Sequence, residues 1–154
     1  MPRPRKKKSK IYFGSAAQEA IIEYNASNDP KERNKIYKER IQYPFEKLAE
    51  NTRYFREEMT KAGLEVRDGY HPIAPIMFYD EKLNAAIAKD LIEEENIYVI
   101  PFSFPVVPKN EARIRVQLSS SHTREHLDKA INAFVKIAKK HGALNVNLRE
   151  KIEG

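Results

Sequence analysis

The two arginines in residues 112–118, Ala-Arg-Ile-Arg-Val-Gln-Leu, are the side chains of this sequence best suited to bind a ligand. Apolar and polar residues alternate along the segment, which predicts a β-strand with Arg113 and Arg115 on one face. A guanidinium that projects from a sheet can bind a carboxylate or phosphate through two parallel hydrogen bonds. The alternative is that both arginines are solvated or paired with Glu111 and an acidic helix end. Spacing alone favours this structural role and leaves the binding role open.

Residues 119–123, Ser-Ser-Ser-His-Thr, connect this strand to a predicted helix. Backbone N–H groups at the start of a helix can bind an anion. Thr123 can instead act only as the N-cap of the helix, because a threonine hydroxyl accepts a hydrogen bond from a free N–H group of the first turn. The sequence favours the capping role.

Other familiar kinds of site have little support in the sequence. The histidines at positions 71, 122, 126 and 141 have no acidic partner at a spacing typical of zinc sites, and the chain has no cysteine. The five glycines form no phosphate-binding loop, and no Gly-x-Ser-x-Gly turn occurs. We therefore predict no metal site and name no catalytic residue.

Composition indicates one folded domain with a tail. Hydrophobic residues make up 41% of the 154 residues and charged residues 32%, which allows a buried core. No apolar run approaches the roughly 18 residues that span a bilayer. Without cysteines there is no disulfide framework, so we expect a reducing, cytoplasmic location.

The net charge of +6 comes from residues 1–10, which contain six basic side chains and no acidic one. The other 22 basic residues are matched by 22 acidic residues. Such an arm can bind nucleic acid or an anionic surface. The alternative, which composition favours, is a solvated, disordered tail.

The order of predicted elements indicates an α/β fold of the α+β type. We predict N-terminal helices, a helix that kinks or restarts at Pro44, strands at 64–66, 73–79, 97–100 and 112–118, and helices begun by Asp80 and Thr123. The strands at 73 and 97 should be parallel if adjacent, and those at 100 and 112 antiparallel. These elements give a small mixed or antiparallel sheet with helices on one face. The predicted divisions are a basic arm at 1–10, a helical segment at 11–47, the domain at 48–145 and a tail at 146–154.

Residues 48–145 resemble the C-terminal small domain of the pyridoxal-phosphate-dependent α-oxoamine synthases, which are fold-type I enzymes. Within that family the similarity is greatest to the glycine C-acetyltransferases. The resemblance rests on six segments in consecutive order: Glu50–Met59, His71–Met77, Ile97–Ile100, Phe102–Lys109, Ala112–Ser119 and His122–Asp128.

The resemblance implies a substrate, a cofactor and a partner. These enzymes are homodimers with pyridoxal phosphate that join glycine to acetyl-CoA, or cleave 2-amino-3-oxobutyrate in reverse, in threonine breakdown. The second arginine of the Ala-Arg-Ile-Arg strand holds the substrate carboxylate, which corresponds to Arg115. The Phe-x-Phe-Pro-Val-Val-Pro loop lies near the active site, so the resemblance assigns Val106, Val107 and Pro108 as lining residues.

The sequence also departs from the family. The large domain of these enzymes carries the lysine that binds the cofactor, and none of its segments occurs here. Pro101 replaces the usual glycine, which removes a hydrogen-bond donor. We therefore expect no binding of pyridoxal phosphate and no activity by this chain alone. The family's large domain is the implied partner.

Residues 1–47 lie outside this resemblance, and the segment 10–49 is similar to the start of the late sigma-like factors of large tailed phages. This similarity supports an alternative function. The chain would then be a non-catalytic fusion or binding protein whose basic arm contacts nucleic acid or RNA polymerase.

Overall fold

The computed structural model describes residues 15–154, with side chains described from residue 18 onward. The arm predicted at residues 1–10 lies outside the described residues, so its disorder and its nucleic-acid partner stay predictions. The chain divides into two compact units, with the boundary between Phe45 and Glu46.

The first unit is helical. Helix α1 is Ser15–Ala26 and α2 is Pro30–Ile36, which is followed directly by a π-helical segment, Tyr37–Gln42. Asp29 caps α2, since its Oδ1 accepts a hydrogen bond of 3.0 Å from the N–H of Lys31. Proline at the first helical position has a fixed φ suited to the helix and needs no N–H there.

Helix α3 begins at Tyr43 and ends at Lys61. Pro44 lies in its first turn, where a missing N–H breaks no bond within α3, and the turn before it is π-helical. The sequence predicts a kink or a restart at Pro44, and the structure shows a change from π-helical to α-helical geometry directly before it. After α3, Gly63 adopts a left-handed φ of +97°, and a Cβ there would lie 2.0 Å from Oδ1 of Asn145. Both the backbone angle and the space therefore require glycine.

The sheet of the second unit has three antiparallel strands in the order β1-β3-β2. In chain order they are β1 Ile73–Tyr79, β2 Ile100–Phe102 and β3 Ala112–Gln117. In the central strand β3, Ile114 lies opposite Ile76 of β1 and Pro101 of β2. The predicted antiparallel pairing of the strands at 100 and 112 is confirmed. Strands β1 and β2 run in the same direction, but β3 separates them.

Two predicted strands differ from those observed. Residues 64–66 form only an isolated bridge, from the last of them to Ile76. In the predicted strand 97–100, only the final residue belongs to β2. The N–H of Ile97 donates instead to the carbonyl oxygen of Leu91, at 2.9 Å. This N–H therefore closes the end of the preceding helix and does not pair with a neighbouring strand.

Three further helices complete the second unit: α4 Glu81–Glu95, α5 Arg124–Lys140 and α6 Leu148–Glu153. Both predicted caps are confirmed, because Asp80 Oδ1 accepts from the N–H of Leu83 at 2.7 Å and Thr123 Oγ1 from that of His126 at 3.2 Å. Helix α6 lies within the segment 146–154 that the sequence analysis described as a tail. Between residues 15 and 154 no helix combines the length and apolar composition needed to cross a membrane.

The hydrophobic core lies against one face of the sheet. Ala74, Ile76, Ile114 and Leu118 share that face and belong to one buried cluster with apolar residues of the helices. The helical residues of the cluster include Phe55 and Met59 of α3, Ile87 and Leu91 of α4, and Leu127, Phe134 and Ile137 of α5. This confirms the predicted α+β fold with helices on one face, and it places the arginines of β3 on the opposite face.

Candidate functional site

The first arginine of β3, Arg113, is buried and bonded to a neighbouring residue of the chain. Arg113 is only 6% exposed. Its Nη2 lies 2.9 Å from Oε2 of Glu111, and its Nε donates to the carbonyl oxygen of the same residue at 3.1 Å. Burial, together with the nearby positive charge of Arg67, lowers the pKa of the Arg113 guanidinium from its usual value. Arg113 is therefore already bound to a carboxylate, which is the structural role that its spacing in the sequence favoured.

The second arginine has a different environment. Arg115 is exposed, and its guanidinium carbon lies 4.3 Å from the centroid of the Phe102 ring. Within residues 18–154 it forms no ion pair with a carboxylate. Stacking on an aromatic ring holds the plane of a guanidinium while its N–H groups stay available. Arg115 is thus oriented and free to bind an anion.

A groove of about 750 Å³ opens beside Arg115. One side is formed by residues 96–102 and by Gln117 of β3, and the other by the first turns of α5 and the turn before it. The residues that line it include His122, His126 and Lys129, with no aspartate or glutamate among them. The groove therefore combines positive charge and N–H donors with apolar walls, which suits an anion that carries an apolar part.

The two histidines of the groove are held by the backbone. Nδ1 of His122 accepts from the N–H of Ser119 at 3.1 Å, and Nδ1 of His126 accepts from the N–H of Thr123 at 3.2 Å. Because a backbone N–H can only donate, each neutral ring carries its proton on Nε2 and offers a donor there. Burial, and to a smaller extent the neighbouring His126, lowers the pKa of His122 from its ordinary value of 6.5.

Asn51 of α3 fixes the turn that carries His122. It is 6% exposed, and its Nδ2 donates to the carbonyl oxygens of Ser119, at 3.0 Å, and of His122, at 2.9 Å. These bonds give the carbonyl oxygen of His122 a donor and add a second donor to that of Ser119, which also accepts from the N–H of His122. Sequence reasoning missed this residue, because nothing local relates position 51 to residues about 70 positions later.

Asn84 of α4 is a second positioning residue that sequence reasoning missed. It is fully buried, and its Nδ2 donates to the carbonyl oxygens of Phe102, at 3.3 Å, and of Arg113, at 3.1 Å. Asn84 thereby ties the strand that carries the Phe102 ring to the strand that carries Arg115. A signal was available, since an asparagine here occupies the apolar stripe of the helix, three residues before Ile87.

The other predicted site residues do not line the groove. Val107 is buried at 4% exposure, while Val106 is 70% exposed and Pro108 is exposed. Their assignment as lining residues of an active site stays a prediction. In the described part of the chain, no three side chains among histidine, aspartate and glutamate are grouped so that they could hold a metal ion.

Comparison with known proteins identifies the family. Residues 5–134 match the family described as aminotransferase class I and II, so the match begins further toward the N-terminus than the resemblance at 48–145. A 2-amino-3-ketobutyrate coenzyme A ligase of Mus musculus is 46% identical over 97 residues, which are 63% of this chain and 23% of the relative. An 8-amino-7-oxononanoate synthase of Thermosipho melanesiensis is 44% identical over 98 residues, which are 64% of this chain and 25% of the relative.

The fold has solved counterparts. The serine palmitoyltransferase of Sphingomonas wittichii superposes with a TM-score of 0.60 over 64% of this chain and 25% of that chain, at 19% identity. Family members are enzymes of pyridoxal phosphate, and solved serine palmitoyltransferases contain it. The chain spans about a quarter of the length of the curated relatives that it matches. Its sequence and its sheet agree on one conclusion: the chain belongs to the aminotransferase class I and II family.

Proposed function

We propose that this chain is the C-terminal domain of an α-oxoamine synthase of the glycine C-acetyltransferase type, which binds the carboxylate of the amino-acid substrate. It would act together with a cofactor-bearing domain from outside these 154 residues. The reaction would transfer an acetyl group from acetyl-CoA to glycine and give 2-amino-3-oxobutyrate, in threonine breakdown. The mouse relative, a 2-amino-3-ketobutyrate coenzyme A ligase, supports this choice of substrate.

The observation that carries the proposal is the free guanidinium of Arg115, stacked on Phe102 beside an open groove. A carboxylate bound there through two parallel hydrogen bonds would be fixed both in position and in rotation. Fixing a substrate in this way reduces the entropy that the reaction must lose. The neighbouring Arg113 cannot take this role, since its guanidinium is buried against Glu111.

The residues of this chain do not fit the cofactor itself. Pyridoxal phosphate needs a lysine for its aldehyde and usually an acidic residue at its pyridine nitrogen. Among the described residues that line the groove there is no acidic side chain, and the lysine there, Lys129, lies on the exposed surface of α5. We therefore assign to this chain substrate binding alone and derive no chemical step from it.

An exposed apolar strip supports the presence of a covering domain. Along residues 98–106, Tyr98, Ile100, Phe104 and Val106 are 80%, 50%, 59% and 70% exposed, on either side of Phe102. Contiguous apolar surface of this kind marks an interaction site in proteins that are otherwise polar. Because the strip runs past Arg115, a domain that covered it would also close the site around the bound carboxylate.

A chimeric enzyme tests the proposal. Residues 46–154 would replace the corresponding C-terminal quarter of the Escherichia coli 2-amino-3-ketobutyrate coenzyme A ligase, which is 41% identical over 99 residues. We expect glycine-dependent release of coenzyme A. Arg115→Ala should raise the KM for glycine by about 100-fold or more, because a charge-assisted bidentate contact is lost. The unmodified 154-residue chain with pyridoxal phosphate should show no turnover.

Arg113 supplies the matched control. Arg113→Lys keeps a positive charge beside Glu111 and should change the KM for glycine by less than about threefold. A folded chimera without activity, equal effects of the two substitutions, or turnover by the isolated chain would each contradict the proposal.

A further inference from the structure

The cations around the groove differ from those elsewhere on α5 because carboxylates do not neutralise them. Within residues 18–154, neither Arg115 nor Lys129 forms an ion pair. Lys136 and Lys140 on the same helix are paired with Glu95 and with Asp90 and Glu94. Positive charge thus remains available at the one end of α5 that borders a groove.

The histidines add hydrogen-bond donors to the same end of the groove. The rings of His122 and His126 lie edge to face, with centroids 6.2 Å apart and an interplanar angle of 85°. Each Nδ1 is occupied by a backbone N–H, so each Nε2 lies on the side of the ring away from that group. Two Nε2–H donors and one ammonium group, all within the eight residues 122–129, can bind a tetrahedral or planar anion.

The rest of the groove is apolar. Its walls include Ile97, Phe102, Leu118 and Ala130, and its volume of about 750 Å³ lies within the range of about 300–1,000 Å³ that holds small ligands. An inorganic ion alone would leave this apolar surface uncovered. A ligand with an apolar body would use it, with a gain of about 0.8 kcal/mol for each buried CH₂ group.

We propose that the groove binds a small amphiphilic anion, with its phosphate or carboxylate group among His122, His126 and Lys129 and its apolar body along Phe102, Leu118 and Ala130. Arg115 lines the same groove, so this anion would lie next to the proposed substrate carboxylate. The inference does not depend on the proposed acyltransferase function. The groove would accept either a free phosphate ester or a fatty-acid carboxylate, because both present an acceptor group on an apolar chain.

Titration of the full 154-residue chain, followed by NMR of the histidine rings, tests the proposal. The probes are octyl phosphate and octanoate below their micellar concentrations, octylammonium, and inorganic phosphate. We expect octyl phosphate and octanoate to bind about tenfold or more tightly than inorganic phosphate or octylammonium, since neither of the latter two offers both a negative charge and an apolar chain. Saturation should raise the pKa of His122, because a bound anion favours the imidazolium form.

Two substitutions locate the anion. Lys129→Gln should weaken octyl phosphate binding about tenfold, whereas Lys139→Gln, at an exposed lysine further along α5, should leave it unchanged. His126→Gln should weaken binding several-fold without unfolding α5, because glutamine at the third helical position can still accept from the N–H of Thr123.

Several results would overturn the proposal. One is equal binding of octyl phosphate and octylammonium, and another is octyl phosphate binding that Lys129→Gln does not weaken. A third is a pKa of His122 that stays the same when octyl phosphate saturates the chain. Binding to anionic lipid vesicles without binding to monomeric octyl phosphate would identify a membrane surface instead. None of these results depends on the activity of the chimeric enzyme.

Discussion

The two ends of helix α5 differ in whether carboxylates neutralise their basic side chains. At its C-terminal end, Lys140 contacts Asp90 at 3.0 Å and also contacts Glu94, while Nε2 of His141 lies 2.7 Å from Oδ2 of Asp90. All of these partners lie on α4 or directly after α5. This end is therefore a contact between two helices in which basic side chains are paired with carboxylates.

At the N-terminal end, positive and donor groups face a groove that has no acidic lining residue. Two carboxylates, those of Glu125 and Asp128, lie on the first turns of α5, and Asp128 accepts a hydrogen bond from the hydroxyl of Tyr54 on α3. Exposed ion pairs contribute little to stability. The two ends thus differ mainly in what they can bind, and much less in how much they contribute to the stability of the fold.

The largest effect should come from the buried side of α5, midway between these ends. Phe134 is fully buried in the core cluster, so Phe134→Ala should lower the free energy of unfolding by about 3–5 kcal/mol. Lys129→Ala, on the groove side, should change it by less than about 0.5 kcal/mol. Urea denaturation followed by circular dichroism measures both. A loss of stability at Lys129 comparable to that at Phe134 would mean that the groove end is built for packing.

Removal of the Asn51 amide should have the next largest effect. Asn51→Ala leaves the carbonyl oxygen of His122 without the Asn51 donor and that of Ser119 with only the His122 N–H, which should cost about 1–3 kcal/mol. The same change should speed hydrogen exchange of the His122 N–H, which closes the turn onto Ser119 at 3.2 Å. Asn132→Ala, at an exposed position of α5, is the control. If exchange at His122 is unchanged, Asn51 does not hold the turn.

The groove end should respond to mild acid. The pKa of His122 is lowered in the folded chain by burial and by His126, so the unfolded chain binds a proton more readily. Its contribution to stability is therefore fully present above the unfolded pKa of about 6.5 and is lost as the pH falls below it. His122→Gln should reduce the slope of unfolding free energy against pH between about 7 and 5. An unchanged slope would show that His122 is not the group responsible.

The smallest effect should appear at the paired end, and only in stronger acid. Hydrogen bonds from His141 and then from Lys140 lower the pKa of Asp90 below its usual 3.8. This stabilisation is present above the unfolded pKa and is lost as the pH falls through the lowered folded pKa. Asp90→Asn should remove part of the acid sensitivity below about pH 4, as measured by acid denaturation. Equal acid sensitivity of the two proteins would mean that these hydrogen bonds do not couple Asp90 to folding.

Much of the fold followed from local sequence. The caps at Asp29, Asp80 and Thr123 were predictable because a side chain that caps a helix acts on N–H groups two or three residues away. The edge strand β2 was less predictable. Its apolar residues at 97–100 read as a strand, but the structure uses the N–H of Ile97 at the end of α4.

The candidate site was predictable only in part. The pattern of β3 placed both arginines on one face, and the family resemblance selected Arg115. Nothing local separated the two, because the difference lies in Glu111, which reaches Arg113, and in Phe102, which lies under Arg115. The groove combines residues from four separated parts of the chain, namely Phe55, Ile73, residues within 96–102 and residues within 115–130, so no single sequence window contains it.

The sequence by itself determined the elements, the caps, the charge balance and the family of this protein, because each depends on residue types at short spacing or on a long ordered match. Only the tertiary structure decided which arginine is free, which histidine nitrogens carry the protons, and where cations lack carboxylate partners. These properties depend on burial and on contacts between residues far apart in the chain. They are set when the sheet and the helices pack together.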